Sequence, residues 1–323
     1  MKTLKYGIRS AKFLQGRKMI KKLLATISFL VILSLLLGAC GSKNDNTATR
    51  QATVSSGEIL SADEISTQVK EYWTTTTKAE EYWSITPKDL NTEMAGTAPF
   101  LVDVRYASEI QESGYIAGAI NIPIRQLLEN LDKLPGPVIP IVLYDATGHR
   151  GALGTMALRM IGYTNVRSLT RGVGGWKSAG LPLVTGSLPA EPLLLSAGII
   201  PNESIYPVMD NFMDNLPEGA FTIQPSDLAV ELTGGTPPLL VDLRLDYEWE
   251  DQRIGGATRI EFSSLLRNLD QIPADKAAPI VFCCSDGHRS AMAVEALSLL
   301  GYTNVRSLGG GIYAWKAAGL PVE

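Results

Sequence analysis

Short apolar runs alternate with helical patterns along most of the chain. Residues 100–104 and 239–243 are apolar except for one Asp each, and an Arg follows each run directly. Residues 141–144 and 280–284 are apolar as well, with Pro before and Gly after. Runs of this length without polar alternation predict strands buried on both faces, as in a parallel sheet. The segment RSAMAVEALSLLG (289–301) repeats apolar positions at helical spacing and stops at glycine. It predicts a helix with Gly301 as its C-terminal cap. NVRSL (304–308) predicts a further short strand. Strand and helix in alternation predict an α/β fold with a parallel sheet flanked by helices.

The pattern occurs twice. Residues 140–182, PIVLYDATGHRGALGTMALRMIGYTNVRSLTRGVGGWKSAGLP, match residues 279–321, PIVFCCSDGHRSAMAVEALSLLGYTNVRSLGGGIYAWKAAGLP. Without gaps, 24 of these 43 positions are identical at a constant offset of 139. Upstream, FLVDVRYASEI (100–110) pairs with LLVDLRLDYEW (239–249), and ITPKDL (85–90) with IQPSDL (223–228). A period of about one domain means duplication of a whole domain and excludes a solenoid. The expected units are 78–185 and 216–323. Residues 186–215 between them are Pro-rich and partly apolar, and are expected to be a linker that packs on the domains.

The N-terminus reads differently. Lys18, Lys21 and Lys22 precede an uncharged apolar stretch at 23–37, and small residues then lead into Cys40. This is the layout of an export signal over 1–40. Leu37-Gly38-Ala39-Cys40 also resembles the lipobox of bacterial lipoproteins, which implies lipidation of Cys40 and anchoring to a membrane on its outer face or in the periplasm. The alternative is an uncleaved signal anchor, although the apolar stretch is short for a span of ~20 residues. Met19 is an alternative start. Residues 41–77 are rich in Ser, Thr and Asn and are expected to be a flexible tether, partly helical around 59–73.

Composition narrows the function. A chain of 323 residues with 45% hydrophobic residues can bury two cores, and a net charge of −4 gives no reason to expect a nucleic-acid partner. There are three cysteines. With Cys40 lipidated, Cys283 and Cys284 remain, so the fold does not rely on disulfides. An adjacent pair beside one histidine gives no tetrahedral ligand set, and neither a metal nor another cofactor is expected.

Both histidines of the chain sit in the two copies of one loop, VLYDATGHRG (142–151) and VFCCSDGHRS (281–290). A short turn from the end of a parallel strand into a helix gathers backbone N–H groups and the positive end of the helix dipole. A cysteine there favours its thiolate, the nucleophilic form. Gly287 permits the tight curvature, and Arg289 adds a fixed charge with planar donors.

Taken together, LVDVR and LVDLR, the following Glu109 and Glu248, YIAGAINIP, the Cys-x-x-Gly-x-Arg-Ser loop at 284–290, GYTNV and GGGIYAWKAAGLP resemble tandem rhodanese domains. The resemblance covers about 78–323. It implies two tandem rhodanese-like domains and a sulfurtransferase in which Cys284 forms a persulfide, with Ser285, Asp286, Gly287, His288, Arg289 and Ser290 as the loop that cradles it. It also implies a small sulfane-sulfur donor (thiosulfate, polysulfide or persulfide) and a thiophilic acceptor, a thiol or cyanide, or a protein. From Cys284 the spacing is Cys-x4-Arg, the rhodanese length. From Cys283 it is Cys-x5-Arg, the length of phosphatases of a related fold. The repeat pairs Cys283 with Tyr144 on the strand and Cys284 with Asp145 at the loop, which favours Cys284. Cys283 is then a buried strand thiol or, alternatively, a secondary thiol that resolves the persulfide.

The first unit carries Asp145 at the cysteine position and is expected to be inactive. Recurrence in an inactive unit points to structural roles for Asp103, Arg105, Glu109, Asp242, Arg244, Glu248, Trp176 and Trp315. The same holds in part for His149, His288, Arg150 and Arg289, although Arg289 is also expected to help bind an anionic donor. Two departures bear on the substrate. Tyr115 or Arg253 stands where many rhodaneses have His, and Asp286 stands where thiosulfate-preferring loops have Lys. The rival functions are a persulfide carrier or docking module without turnover and, as a minor case, a phosphatase-like loop.

Overall fold

The structure is a computed structural model, and it describes residues 60–76, 82–186 and 199–323. A lone helix, α1 (Ala62–Thr76), comes first. The first domain runs β1 (Ser84–Ile85), α2 (Pro87–Met94), β2 (Phe100–Asp103), α3 (Ala107–Ser113), β3 (Ile120–Asn121), β4 (Ile141–Tyr144), α4 (His149–Met160), β5 (Val166–Leu169) and α5 (Gly172–Ser178). Helix α6 (Tyr206–Asp214) precedes the second domain. There β6 (Thr222–Ile223), α7 (Pro225–Leu232), β7 (Leu239–Asp242), α8 (Asp246–Asp251), β8 (Thr258–Arg259), β9 (Ile280–Cys283), α9 (His288–Leu299), β10 (Val305–Leu308) and α10 (Gly311–Ala317) repeat the order.

Each domain holds a five-stranded sheet, ordered β1-β5-β4-β2-β3 in the first and β6-β10-β9-β7-β8 in the second. All the ladders within them are parallel. The central strands β4 and β9 are buried at every position, as their unbroken apolar runs require. Thus the α/β class and the doubled parallel sheet expected from the pattern are the observed fold. Strand β9 stops at Cys283, one residue short of the apolar run, because Cys284 already belongs to the turn. Helix α9 ends at Leu299, and Gly301 follows at φ +91°, the left-handed conformation that glycine adopts without a Cβ clash.

Helices α4 and α9 pack on each other and join the two domains. Both are buried on nearly all sides, since each lies between its own sheet and the other domain. One hydrophobic cluster therefore spans both domains, with Val102, Leu143 and Met156 from the first and Val241, Phe282 and Leu297 from the second. The outer sheet faces carry separate cores, around Tyr144 and Trp176 in the first domain and around Cys283 and Trp315 in the second.

The region expected as a free tether is corrected at its end. Helix α1 packs on the second domain rather than hanging free. Val69 and Trp73 are fully buried, the Trp73 ring lies 4.5 Å from that of Phe262, and its Nε1 donates to the Phe262 carbonyl at 3.1 Å. The apolar spacing of Val69 and Trp73, four apart on one helix face, is what drives this docking. In the segment between the domains, Met209 and Met213 of α6 are likewise buried, and Tyr206 donates its hydroxyl to the Leu128 carbonyl at 3.1 Å. Residues 187–198 and the N-terminal signal with Cys40 lie outside the described residues. Among the described residues no helix is long and apolar enough to cross a membrane.

Candidate active site

The chain leaves β9 at Cys283 and enters α9 at His288, so Cys284, Ser285, Asp286 and Gly287 make the whole turn. Gly287 caps the helix at φ +98°, where any side chain would be strained. Gly311, at φ +57°, lets α10 close on the loop, because a Cβ there would collide with the Cys284 carbonyl. The amides of Ile312 and Tyr313 accordingly donate to the carbonyls of Cys284 (2.9 Å) and Ser285 (3.1 Å).

The Cys284 sulfur sits inside this turn and is closed to solvent. Its Sγ accepts the Gly287 backbone N–H at 3.2 Å and lies 3.7 Å from Ser290 Oγ and 3.8 Å from Asp286 Oδ1. Ser290 Oγ is bonded in turn to Ser307 Oγ at 2.7 Å. The sulfur thus accepts one amide, touches one end of a buried hydroxyl pair and, as a thiol, donates to the Asp286 carboxylate.

Arg289 does not reach for the sulfur. Its two Nη atoms bond both oxygens of Glu248 at 2.8 Å, and Nη2 also donates to Ser285 Oγ at 2.8 Å. The Tyr82 ring covers it, 5.3 Å from the guanidinium carbon. Burial disfavours the charged form of Glu248, but Arg289, the Ser285 hydroxyl and the Leu245 amide outweigh it and hold its pKa down at about 2. Burial likewise disfavours the Arg289 cation, and Glu248 more than offsets this, keeping it charged. Glu248 is therefore the clamp that fixes both ends of the loop. Its sequence signal was the recurrence of Glu109, which makes the same bidentate pair with Arg150 at 2.5 and 2.8 Å.

His288 also turns away from the sulfur. Its Nε2 donates to the Tyr82 carbonyl at 2.8 Å, and its Nδ1 accepts the Ser168 hydroxyl at 2.8 Å, both across the domain boundary. Burial lowers its pKa and favours the neutral ring. His149 makes the reciprocal crossing, with Nε2 2.6 Å from the Ala220 carbonyl. The histidines recur because each ties its loop to the other domain.

Cys283 points to the opposite sheet face. It belongs to the outer core of the second domain, whereas Cys284 belongs to the shared core. Both thiols are free. Burial pushes the Cys283 thiol well above its ordinary pKa, and the neighbouring Asp242 carboxylate adds to the shift, which disfavours its thiolate. Arg244 binds Asp242 through Nε and Nη2 at 2.6–3.0 Å and spans to the carbonyls of Glu248 and Gln252, both at 2.7 Å. Arg105 and Asp103 form the same pair in the first domain. Trp176 and Trp315 are buried, each donating to a proline carbonyl six residues on at 2.8 Å.

The first domain's loop shows the same cradle with a different occupant. Asp145 Oδ1 accepts the amides of Gly148 (2.7 Å) and Gly151 (3.3 Å), and Oδ2 accepts the amide and hydroxyl of Thr147, both at 3.3 Å. The side-chain carboxylate fills the anion hole from within and leaves no sulfur to load.

A family model for the rhodanese-like domain matches residues 86–179 and 225–318. Among curated relatives, a sulfurtransferase of Allochromatium vinosum is 33% identical over 100 residues, 31% of this chain and 92% of its own length. A probable adenylyltransferase/sulfurtransferase of Mycobacterium tuberculosis is 37% identical over 97 residues, 29% of this chain and 24% of its own length. The match thus spans about a quarter of that longer relative. Among solved structures, a thiosulfate sulfurtransferase from Pseudomonas aeruginosa superposes with a TM-score of 0.33 at 19% identity, covering 80% of this chain and 70% of that one. The two family matches together take in more than half of the chain, and the protein belongs to the rhodanese-like domain family, with two copies of the domain in tandem.

Proposed function

We propose that the protein is a sulfurtransferase whose second domain carries sulfur on Cys284. The observation that supports this most directly is the Gly287 amide aimed at the Cys284 sulfur inside a four-residue turn. The Cys284 thiolate attacks the sulfane sulfur of a donor, the donor's bond to that sulfur breaks, and the donor leaves with the electron pair. The outer sulfur of the persulfide is then taken by a thiol, cyanide or a protein acceptor. Asp145 supports the reading as an internal control, since the same cradle in the silent copy holds an anion built into the chain. Asp286 lies beside the sulfur, and its charge opposes a dianion such as thiosulfate, so a persulfide of lower charge is at least as good a fit to the loop. Through Cys40, the same reading puts the enzyme on the outer face of a bacterial membrane or in the periplasm.

The test is mass spectrometry after incubation with each donor. Cys284 gains about 32 Da, one sulfur atom, and loses it to cyanide or a thiol. A wild-type protein that takes up no sulfur, or a Cys284→Ser variant that still does, rules the reading out. Steady-state turnover separates the enzyme from a carrier that loads once and stops.

A further inference from the structure

Two large aromatic side chains flank the active loop in the open. Tyr247 on α8 is 70% exposed and Tyr313 on α10 is 54% exposed. They line one cavity of about 350 Å³, together with Ser285, the residue after Cys284. The Tyr313 amide donates to the Ser285 carbonyl, so the base of that ring is fixed to the loop. The repeat supplies a comparison within the same chain. At the offset of 139, Tyr247 corresponds to Ser108 and Tyr313 to Gly174. At these two positions the copy with a thiol carries exposed rings and the copy without one carries none, while the exposed Tyr106 beside the first loop is stacked with Arg150. The outer-core residues Trp176 and Trp315, by contrast, are kept in both.

The cavity's charges define what could lie between the rings. Arg244 and Glu248 at its floor are committed to Asp242 and Arg289. Lys316 and Asp251 also line it, and among the described residues neither is in an ion pair. Lys316 bonds only the neutral Gln252 side chain. One free cation and one free anion beside two rings match a zwitterionic head on a short organic body. An inorganic polyanion would use neither ring.

We propose that Tyr247 and Tyr313 seat a low-molecular-weight amino-acid persulfide, with its carboxylate toward Lys316 and its ammonium toward Asp251, as the sulfur donor for Cys284. This rests on the Cys284 reading above. The donor RSSH presents its outer sulfur across Ser285, and the Cys284 thiolate attacks it. A new S–S bond forms to Cys284, the donor's S–S bond breaks, and RS⁻ leaves with the electron pair. The transferred sulfur keeps its proton, and no external oxidant or reductant is needed.

The experiment measures the rate of Cys284 loading by intact mass against concentration, with cysteine persulfide and with inorganic polysulfide. In Tyr247→Ser and Tyr313→Ala the half-saturating concentration of cysteine persulfide rises about tenfold with the maximal rate unchanged, while loading by polysulfide stays as in wild type. Tyr313→Phe keeps the wild-type value. Equal loss with both donors, or no change with either, overturns the assignment. A parallel titration of the Cys284→Ser protein with S-methyl-L-cysteine by calorimetry reads docking without chemistry. Binding that weakens on Tyr313→Ala supports the seat even if Cys284 never loads, and loading without such binding rejects the seat while sparing the Cys284 reading.

Discussion

Replacing Glu295 with methionine should stabilise the protein. Glu295 lies on α9, the helix that packs against α4, and is completely buried. Neither of its carboxyl oxygens has a hydrogen-bond partner among the described residues. Its counterpart at the offset of 139 is Met156, equally buried on α4. A buried, unpaired polar group costs ~1–3 kcal/mol, and a buried methionine gains ~1.5–3 kcal/mol by leaving water. A net gain of ~2–4 kcal/mol is reasonable, since the larger side chain needs some room in a packed helix interface. For a chain of this size that raises Tm by about 5–10 °C. Burial pushes the Glu295 carboxyl well above its ordinary pKa of 4.5. A carboxyl with a raised folded pKa favours folding most below the unfolded value, and loses that contribution as pH climbs toward the folded value. The advantage of Glu295→Met over wild type should therefore be smallest near pH 4.5 and widen toward pH 8. Glu295→Gln should match wild type at low pH and exceed it at high pH. Calorimetric melting of the three proteins from pH 4.5 to 8 decides the matter. A Glu295→Met protein that melts below wild type at every pH, or a pH dependence unchanged by either variant, would falsify the account.

Other outcomes are expected. Glu248→Gln should slow persulfide loading at Cys284 by at least tenfold, since Arg289 and Ser285 lose their shared anchor. Because Glu248 is held at about 2, its pair with Arg289 should stabilise the fold above pH 4.5 and fade as pH falls toward 2, a loss that melting curves of the Gln variant should lack. Gly287→Ala should cost ~1–2 kcal/mol from the φ of +98° and reduce loading further, as the amide on the sulfur shifts. A His288→Ala change should lower the melting temperature more than it lowers the loading rate of the folded protein, because that ring serves the domain contact. Labelling with a radioactive fatty acid should mark the chain when it is expressed in a bacterium, and the label should be lost in Cys40→Ala.

Much of the site could be read before the fold was known, and the repeat is the reason. Opposing Cys283 to Tyr144 and Cys284 to Asp145 separated strand from loop, and the structure puts the two sulfurs on opposite faces of β9. The pattern also gave the doubled parallel sheet, because central strands buried on both faces leave unbroken apolar runs. What it could not give was partners distant in sequence. Glu248 binds Arg289 from 41 residues away, and Ser168 meets His288 from 120 residues away. Neither contact leaves a local periodicity. The pairing of Arg289, a residue expected to hold the loop and to help bind an anionic donor, with Glu248 went unseen for the same reason. Helix α1 was half visible, since its helical spacing showed while its docking depended on Phe262, 189 residues from Trp73.

The cluster shared across α4 and α9 bears on how such a chain can evolve. A duplicated domain that loses its nucleophile is ordinarily free to decay. Here the first copy supplies apolar residues to the interior in which α9 is packed, and Ser168 and the Tyr82 carbonyl hold His288. Shedding it would open to water the part of α9 that packs against α4. The first domain is thus a structural part of the second, and a substitution at a position in the shared cluster acts on both.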